Sequence, residues 1–134
     1  MSKEIWKVYP LNENYLVSNY GNVKNKNGRI LKPYTNRGYL YISASKDNKR
    51  TTTAVHRMVL MAFHYFEGCE NLQVDHIDGI KSNNHLENLR WVSSQENIQI
   101  KHQNYKVIYN LLSEIIQKNG YEKTIEILKK AIDF

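Results

Sequence analysis

Residues 74–97 read VDHIDGIKSNNHLENLRWVSSQEN. Asp75, His76 and Asp78 precede Gly79, a run rich in Asn follows, and the stretch closes on Arg90, Trp91 and Val92. Glycine and asparagine are ordinary loop residues. Val74 before them and Leu89, Trp91 and Val92 after them are apolar, however, which anchors both ends of the loop in a core. Residues 73–76 therefore predict a strand that enters a loop at Asp78-Gly79, and residues 90–92 predict the returning strand. Ser93 with Glu96 three positions on is a capping-box pattern, so a helix is expected to start near Ser94 and run to about His102. The unit is strand, long loop, strand, helix. Pairing of its strands would bring Asp75 and His76 close to Asn97.

Upstream the pattern is that of antiparallel strands. Residues 15–17 are a short candidate. Asn27-Gly28, between Val23-Lys24 and Ile30-Leu31, is a two-residue hairpin signal. Residues 39–43 and 51–55 are β-prone, with a polar turn at residues 46–50 between them. A small twisted sheet over residues 15–55 is expected. From Val55 the period changes. Val55, Val59, Ala62, Phe63 and Phe66 suit one face of a helix, in which His56 reads as a packing or hydrogen-bonding residue.

The chain has 134 residues, 41% of them hydrophobic, which suits one domain with a modest core. Lys and Arg number 19 against 13 Asp and Glu, a net charge of +6. That balance favours a polyanionic partner. No apolar run is long enough to span a bilayer, and the first residues carry no apolar signal core, so a soluble, cytoplasmic protein is expected. A single cysteine, Cys69, allows neither an internal disulfide nor a cysteine-based zinc site.

The charge is concentrated. From Asn22 to Arg57 the bases are Lys24, Lys26, Arg29, Lys32, Arg37, Lys46, Lys49, Arg50 and Arg57, and the only acid is Asp47. Tyr34, Tyr39 and Tyr41 lie among them. A solvated basic face would look the same. The sharper reading is a surface that tracks phosphates and adds aromatic contacts. Lys24, Lys26, Arg29, Arg37, Tyr39, Lys49, Arg50, Arg57 and, further on, Arg90 are its candidate nucleic-acid contacts. For Arg90 a surface salt bridge is an equal alternative.

The C-terminal segment differs again. Ile108, Leu111, Leu112, Ile115 and Ile116 form a helical stripe. Asn119-Gly120 signals a helix end, and Tyr121, Ile125, Leu128 and Ile132 make a second stripe. A helical hairpin that docks on the core is expected. A homodimer interface or an accessory DNA-binding pair is the other use open to it.

Residues 74–97 resemble the HNH endonuclease motif, the ββα-metal or His-Me finger. Asp75-His76 stands at its first element, Asn88 at the middle one and Asn97 at the third. EIWKVYPLNENYLVSNYGNVKNKNGRILKP (residues 4–33) and AVHRMVLMAF (residues 54–63) resemble the modular domain fused to HNH nucleases of phages and self-splicing introns. The resemblance covers roughly residues 4–102. It departs from the usual pattern at Asn97, where many members have His. A subgroup of phage and intron enzymes shares the Asn, and some of those nick one strand only.

What the resemblance implies agrees with the chemistry of the residues. Asp75 and Asn97 offer a carboxylate and an amide oxygen, hard ligands suited to Mg²⁺ or Mn²⁺. His76 is an imidazole able to accept a water's proton near neutral pH. The family implies that Asn88 braces the loop and fixes the His76 ring by a hydrogen bond. Asp78 is expected to make the turn with Gly79 and not to bind metal. Asn83 and Asn84 are expected to hold the loop, His85 to be structural and Trp91 to be core.

The resulting expectation is an α+β protein in three parts: a basic antiparallel-sheet region at residues 1–54, an HNH ββα-metal unit with its preceding helix at residues 55–103, and a C-terminal helical hairpin at residues 104–134. Its function would be metal-dependent hydrolysis of double-stranded DNA by a phage or mobile-element enzyme. A DNA-binding scaffold or regulator with a non-cleaving HNH unit is the alternative. RNA binding is weaker, since a single-strand stacking platform calls for a denser aromatic motif.

Overall fold

The computed structural model describes residues 3–132. Eight short strands and three helices follow in the order β1 (Trp6–Val8), β2 (Tyr15–Ser18), β3 (Val23–Asn25), β4 (Tyr34–Asn36), β5 (Tyr39–Lys46), β6 (Lys49–Ala54), α1 (Val55–Phe63), β7 (Gln73–His76), β8 (Leu89–Val92), α2 (Ser94–Asn119) and α3 (Tyr121–Ile132). The mixed α+β class is as expected. The chain forms two compact units, Met1–Ser94 and Gln95–Phe134.

In the first unit the strands form three antiparallel sheets, ordered β1-β2-β3, β4-β5-β6 and β7-β8. Two sheets thus stand where one was expected over residues 15–55. Pro33, which has no backbone N–H to give to a ladder, lies between β3 and β4. Beyond β3 only a Lys24–Ile30 bridge continues the pairing. The Asn27-Gly28 signal produces a hairpin, but with three loop residues. Gly28 N donates to Asn25 O at 2.9 Å, Asn25 N donates to Arg29 O at 2.9 Å, and Gly28 takes a φ of +88°. This is a turn closed by a left-handed residue, the next most common hairpin after the two-residue form.

Alternation fixes which side chains enter the core. Along β5, Ile42 and Ala44 are buried while Ser43 and Ser45 face solvent, as a two-residue period requires. β2 contributes Tyr15 and Val17. α1 starts directly at the end of β6 and buries Val55, Met58, Val59, Leu60 and Met61. With Val23, Cys69 and Leu89 these make one hydrophobic cluster that spans all three sheets. Polar bonds pin the layers. The Tyr15 hydroxyl accepts from Ser45 N at 2.9 Å, and Asn12 Nδ2 donates to Ser45 O at 3.2 Å. The helical stripe stops sooner than expected. α1 ends at Phe63, and Phe66 is half exposed.

Arg57, expected among the DNA contacts, is half-buried. Its guanidinium donates to Leu72 O at 2.8 Å and to Glu70 O at 2.6 Å, and lies 5.2 Å from the Trp91 ring. It thus fastens α1 to the chain that leads into β7. Its position on the helix turns it inward, which a linear count of basic residues does not reveal.

The second unit differs from expectation in one respect. α2 does not stop near His102 but continues for 26 residues to Asn119. Residues 102–104 are polar, yet none is Gly or Pro, so nothing breaks the hydrogen-bond ladder. The first helix of the expected hairpin is therefore the continuation of the ββα helix. The break falls at Gly120, which has a φ of +78° and donates its N–H to Ile116 O at 2.8 Å. Ile108, Leu111 and Leu128 are exposed. Among the described residues, no helix is long and apolar enough to cross a membrane.

Candidate active site

β7 and β8 pair with Asp75 opposite Arg90 and His76 opposite Leu89. Successive strand residues face opposite sides, so the two side chains of the Asp75-His76 pair diverge. His76 is 8% exposed. Asp75 is partly buried, and its Oδ2 accepts from Arg90 Nε at 2.8 Å. Arg90 therefore takes the salt-bridge alternative, with Asp75 as its partner.

The loop between the strands is closed by its own amides. Asn88 is buried and works in three directions. Its Oδ1 accepts from Asp78 N at 3.0 Å, and its Nδ2 donates to Asp78 Oδ1 and to Asn83 O, both at 2.9 Å. The Asp78 carboxylate also accepts from Asn83 Nδ2 at 2.7 Å and from Ile80 N at 2.8 Å. The Asn83 bond most strongly, then the Ile80 N–H and less so the Asn88 amide, hold the Asp78 carboxyl below the usual carboxylate range. Asp78 is thus the turn residue, with Gly79 N donating to His76 O at 2.9 Å.

The bracing role implied for Asn88 is visible, but its bond to the imidazole is not. Asn88 spends its amide on Asp78 and Asn83, and the His76 ring is held by Asn84. Asn84 Oδ1 lies 3.0 Å from His76 Nε2. An acceptor there pairs with the Nε2–H tautomer, the form in which the lone pair is on Nδ1.

Two further rings flank this imidazole. His56 lies edge-on to it, and Tyr39 has its ring centroid 6.0 Å away. Burial, then the proximity of His76 and Arg57, push the His56 imidazole down to about 4. His56 is thus a neutral ring at neutral pH. Lys81 Nζ sits 4.8 Å from the centroid of Tyr39 and donates to Arg37 O at 3.3 Å. Tyr39 is therefore half-buried in the imidazole cluster. Asn84 and Lys81 were not singled out as site residues from sequence. Each lies in a polar run that reads as loop, and only tertiary packing sets them apart.

The remaining basic candidates lie at strand ends and turns. Lys26 and Arg29 flank the β3 hairpin loop, Arg37 caps the β4–β5 turn, and Lys49 and Arg50 open β6; all are exposed. Lys24 is half-buried, with Nζ 4.0 Å from the Trp6 ring centroid. Asn97 lies on α2, in the second unit.

The donors suit a hard cation. Among the described residues, no three His, Cys, Asp or Glu side chains gather into a metal-binding group. In the first unit the motif offers the Asp75 carboxylate. A carboxylate oxygen is the kind of donor that a small divalent ion takes while it keeps waters and phosphate oxygens in its shell.

Comparison with known proteins agrees with this geometry. Residues 53–99 match the HNH endonuclease family, and residues 4–45 match the NUMOD4 motif. An uncharacterized HNH endonuclease of Acanthamoeba polyphaga mimivirus is 42% identical over 101 residues, covering 72% of this chain and 25% of that protein. The DNA endonuclease I-HmuI of Bacillus phage SP01 is 46% identical over 88 residues, covering 63% of this chain and 49% of the relative. A solved structure titled "DNA binding and cleavage by the HNH homing endonuclease I-HmuI" matches with a TM-score of 0.67 and 36% identity, over 84% of this chain and 66% of that one. The chain spans between a quarter and about half the length of the curated relatives it matches.

Proposed function

The chain carries an HNH endonuclease domain behind a NUMOD4 motif, and from that premise we propose that it is a divalent-metal-dependent endonuclease that hydrolyses phosphodiester bonds in double-stranded DNA. The observation that carries the reading is the contact between His76 Nε2 and Asn84 Oδ1, 3.0 Å long, which supports an Nε2–H tautomer with the lone pair on Nδ1.

His76 Nδ1 takes the proton of the attacking water, and Asn84 retains the Nε2 proton so that the ring keeps one orientation. Asn88 keeps the loop that carries Asn84 closed, through Asp78 and Asn83. Asp75 and Asn97 would hold Mg²⁺ or Mn²⁺, which supplies Lewis-acid stabilisation of the charge that builds on the phosphate and on the departing 3′ oxygen. His56 and Tyr39 wall the imidazole. Lys26, Arg29, Arg37, Lys49 and Arg50 bind the DNA backbone. The nearness to phage endonucleases, one of them named as a homing enzyme, supports a phage or mobile-element role.

The test is incubation of the protein with supercoiled plasmid, with and without Mg²⁺ or Mn²⁺. Nicked circles mean single-strand cleavage and linear product means cleavage of both strands. His76→Ala should lower the rate on the order of 10²-fold or more. DNA binding with no product in any metal would replace this reading with that of a non-cleaving scaffold.

A further inference from the structure

We propose that the β2–β3 turn, residues 18–22, is a positioning element for the His76 imidazole, acting through Asn84. The turn belongs to the NUMOD4 segment, whereas Asn84 and His76 belong to the HNH segment. The turn therefore does more than present a DNA-binding strand pair.

The turn is itself rigid. Ser18 is fully buried. Its Oγ accepts from Tyr20 N at 3.2 Å and from Asn22 N at 3.1 Å. Its own N–H donates to Asn22 O at 2.8 Å, and Gly21 N donates to Ser18 O at 3.0 Å. The rigid turn presses on the loop at three consecutive residues. Asn19 O accepts from Leu86 N at 2.8 Å. The Tyr20 ring lies 5.1 Å from the His85 ring. A Cβ added to Gly21 would stand 2.8 Å from Asn84 Cβ and 2.9 Å from Asn84 O, closer than such contacts are found.

The last contact is the decisive one. Asn84 is 3% exposed, and its Nδ2 is buried without a hydrogen-bond partner. Hydrogen bonding at that end does not hold the amide. Its Oδ1 stays on His76 because the Asn84 backbone and Cβ are wedged against Gly21. If Asn84 shifts, the acceptor leaves Nε2, and the imidazole proton is free to move to Nδ1, the atom that must be empty to act as base.

A matched control exists in the same chain. Gly28 has a φ of +88° against +85° at Gly21, but a Cβ there meets nothing within 4 Å. Gly21→Ala and Gly28→Ala thus carry similar backbone strain, and only the first pushes on Asn84.

The inference rests on the reading of His76 as general base, but its test does not require cleavage. Imidazole ¹⁵N spectra of the metal-free, DNA-free chain are recorded at about pH 8, where an ordinary histidine is neutral. The His76 signal is assigned by its loss in His76→Gln. Wild type and Gly28→Ala should both show the Nε2–H tautomer, and Gly21→Ala should show a tautomer mixture. In cleavage assays at saturating duplex, Gly21→Ala should lose on the order of 10²-fold in kcat with duplex affinity equal to that of Gly28→Ala. Should Gly21→Ala fail to fold, Tyr20→Leu removes the ring contact without adding bulk and should also mix the tautomers. An Nδ1–H tautomer in wild type, or the same tautomer in wild type and in the folded Gly21→Ala or Tyr20→Leu variant, would overturn the proposal. If spectra respond as expected but His76→Ala still cuts at the wild-type rate, the general-base reading fails and the turn's hold on the ring stands.

Discussion

His56 stands edge-on to His76, with ring centroids 5.1 Å apart and planes at 78°. One imidazole therefore forms part of the wall around another, and a charge on the first would be felt by the second. Burial keeps His56 neutral down to about pH 4.

That has a consequence for stability. Above about pH 6.5 His56 is neutral in folded and unfolded chains alike and costs nothing. As pH falls towards about 4, the unfolded chain takes up a proton that the folded chain refuses, so stability drops. At about 1.4 kcal/mol per pKa unit, discounted for the part of the ring that solvent reaches, the loss is on the order of 2 kcal/mol. Urea midpoints at about pH 7 and about pH 4.5 should lie further apart for wild type than for His56→Phe. An equal spread in the two proteins would clear His56 as the source.

Asp75 separates cutting from binding. Asp75→Ala should abolish cleavage and change duplex affinity little, since the carboxylate is proposed to hold the metal and stands apart from the exposed bases. Removing it also frees Arg90 from its ion pair, so a small gain in affinity at low salt is expected. Fluorescence anisotropy on a labelled duplex, beside the plasmid assay, measures both. Parallel loss of binding and cutting would argue against this division.

Asn88 is the keystone of the loop. Asn88→Ala removes three side-chain hydrogen bonds at a buried position, which should cost roughly 2–4 kcal/mol. It should also release Asp78, whose carboxyl would move back towards ordinary values. Chemical denaturation gives the first number and carboxyl NMR titration the second. A loss below about 0.5 kcal/mol would show that the loop closes without it.

The exposed bases should act through counterion release. Changing Lys26, Arg29, Lys49 and Arg50 to Ala should flatten the plot of log affinity against log salt by roughly 0.9 per lost phosphate contact. The rate of the saturated complex should hold. Lys24 and Arg57 are left out because Trp6 and the Glu70 and Leu72 carbonyls already engage them. Identical slopes for wild type and variant would move the DNA surface elsewhere.

Strands with alternation or β-branching were legible in the sequence: β2, β5, β6 and the β7–β8 pair. β1 and β4 have three residues each, too few for a period to show. The overrun of α2 past His102 follows from a polar stretch that lacks any residue able to stop a helix. Within the site, Asp78 was readable because Asp-Gly makes its turn locally. Asn84 was not. It is the same residue type as its neighbour Asn83, and what separates them is a glycine on a distant turn. Arg57 misled for a similar reason, since charge is read along the chain but spent according to the face of the helix.

The single hydrophobic cluster that joins Val17, Val23 and Ile42 to α1 and Leu89 bears on how such proteins recombine. The NUMOD4 match ends at residue 45 and the HNH match begins at residue 53, so residue 54 looks like a seam. A chain begun at Val55 would leave Val55, Met58 and Val59 without the strands that cover them. A swap at that seam succeeds only if the donor brings side chains of matching volume and a turn with no side chain opposite Asn84. Crossovers that keep the first 94 residues together carry neither demand.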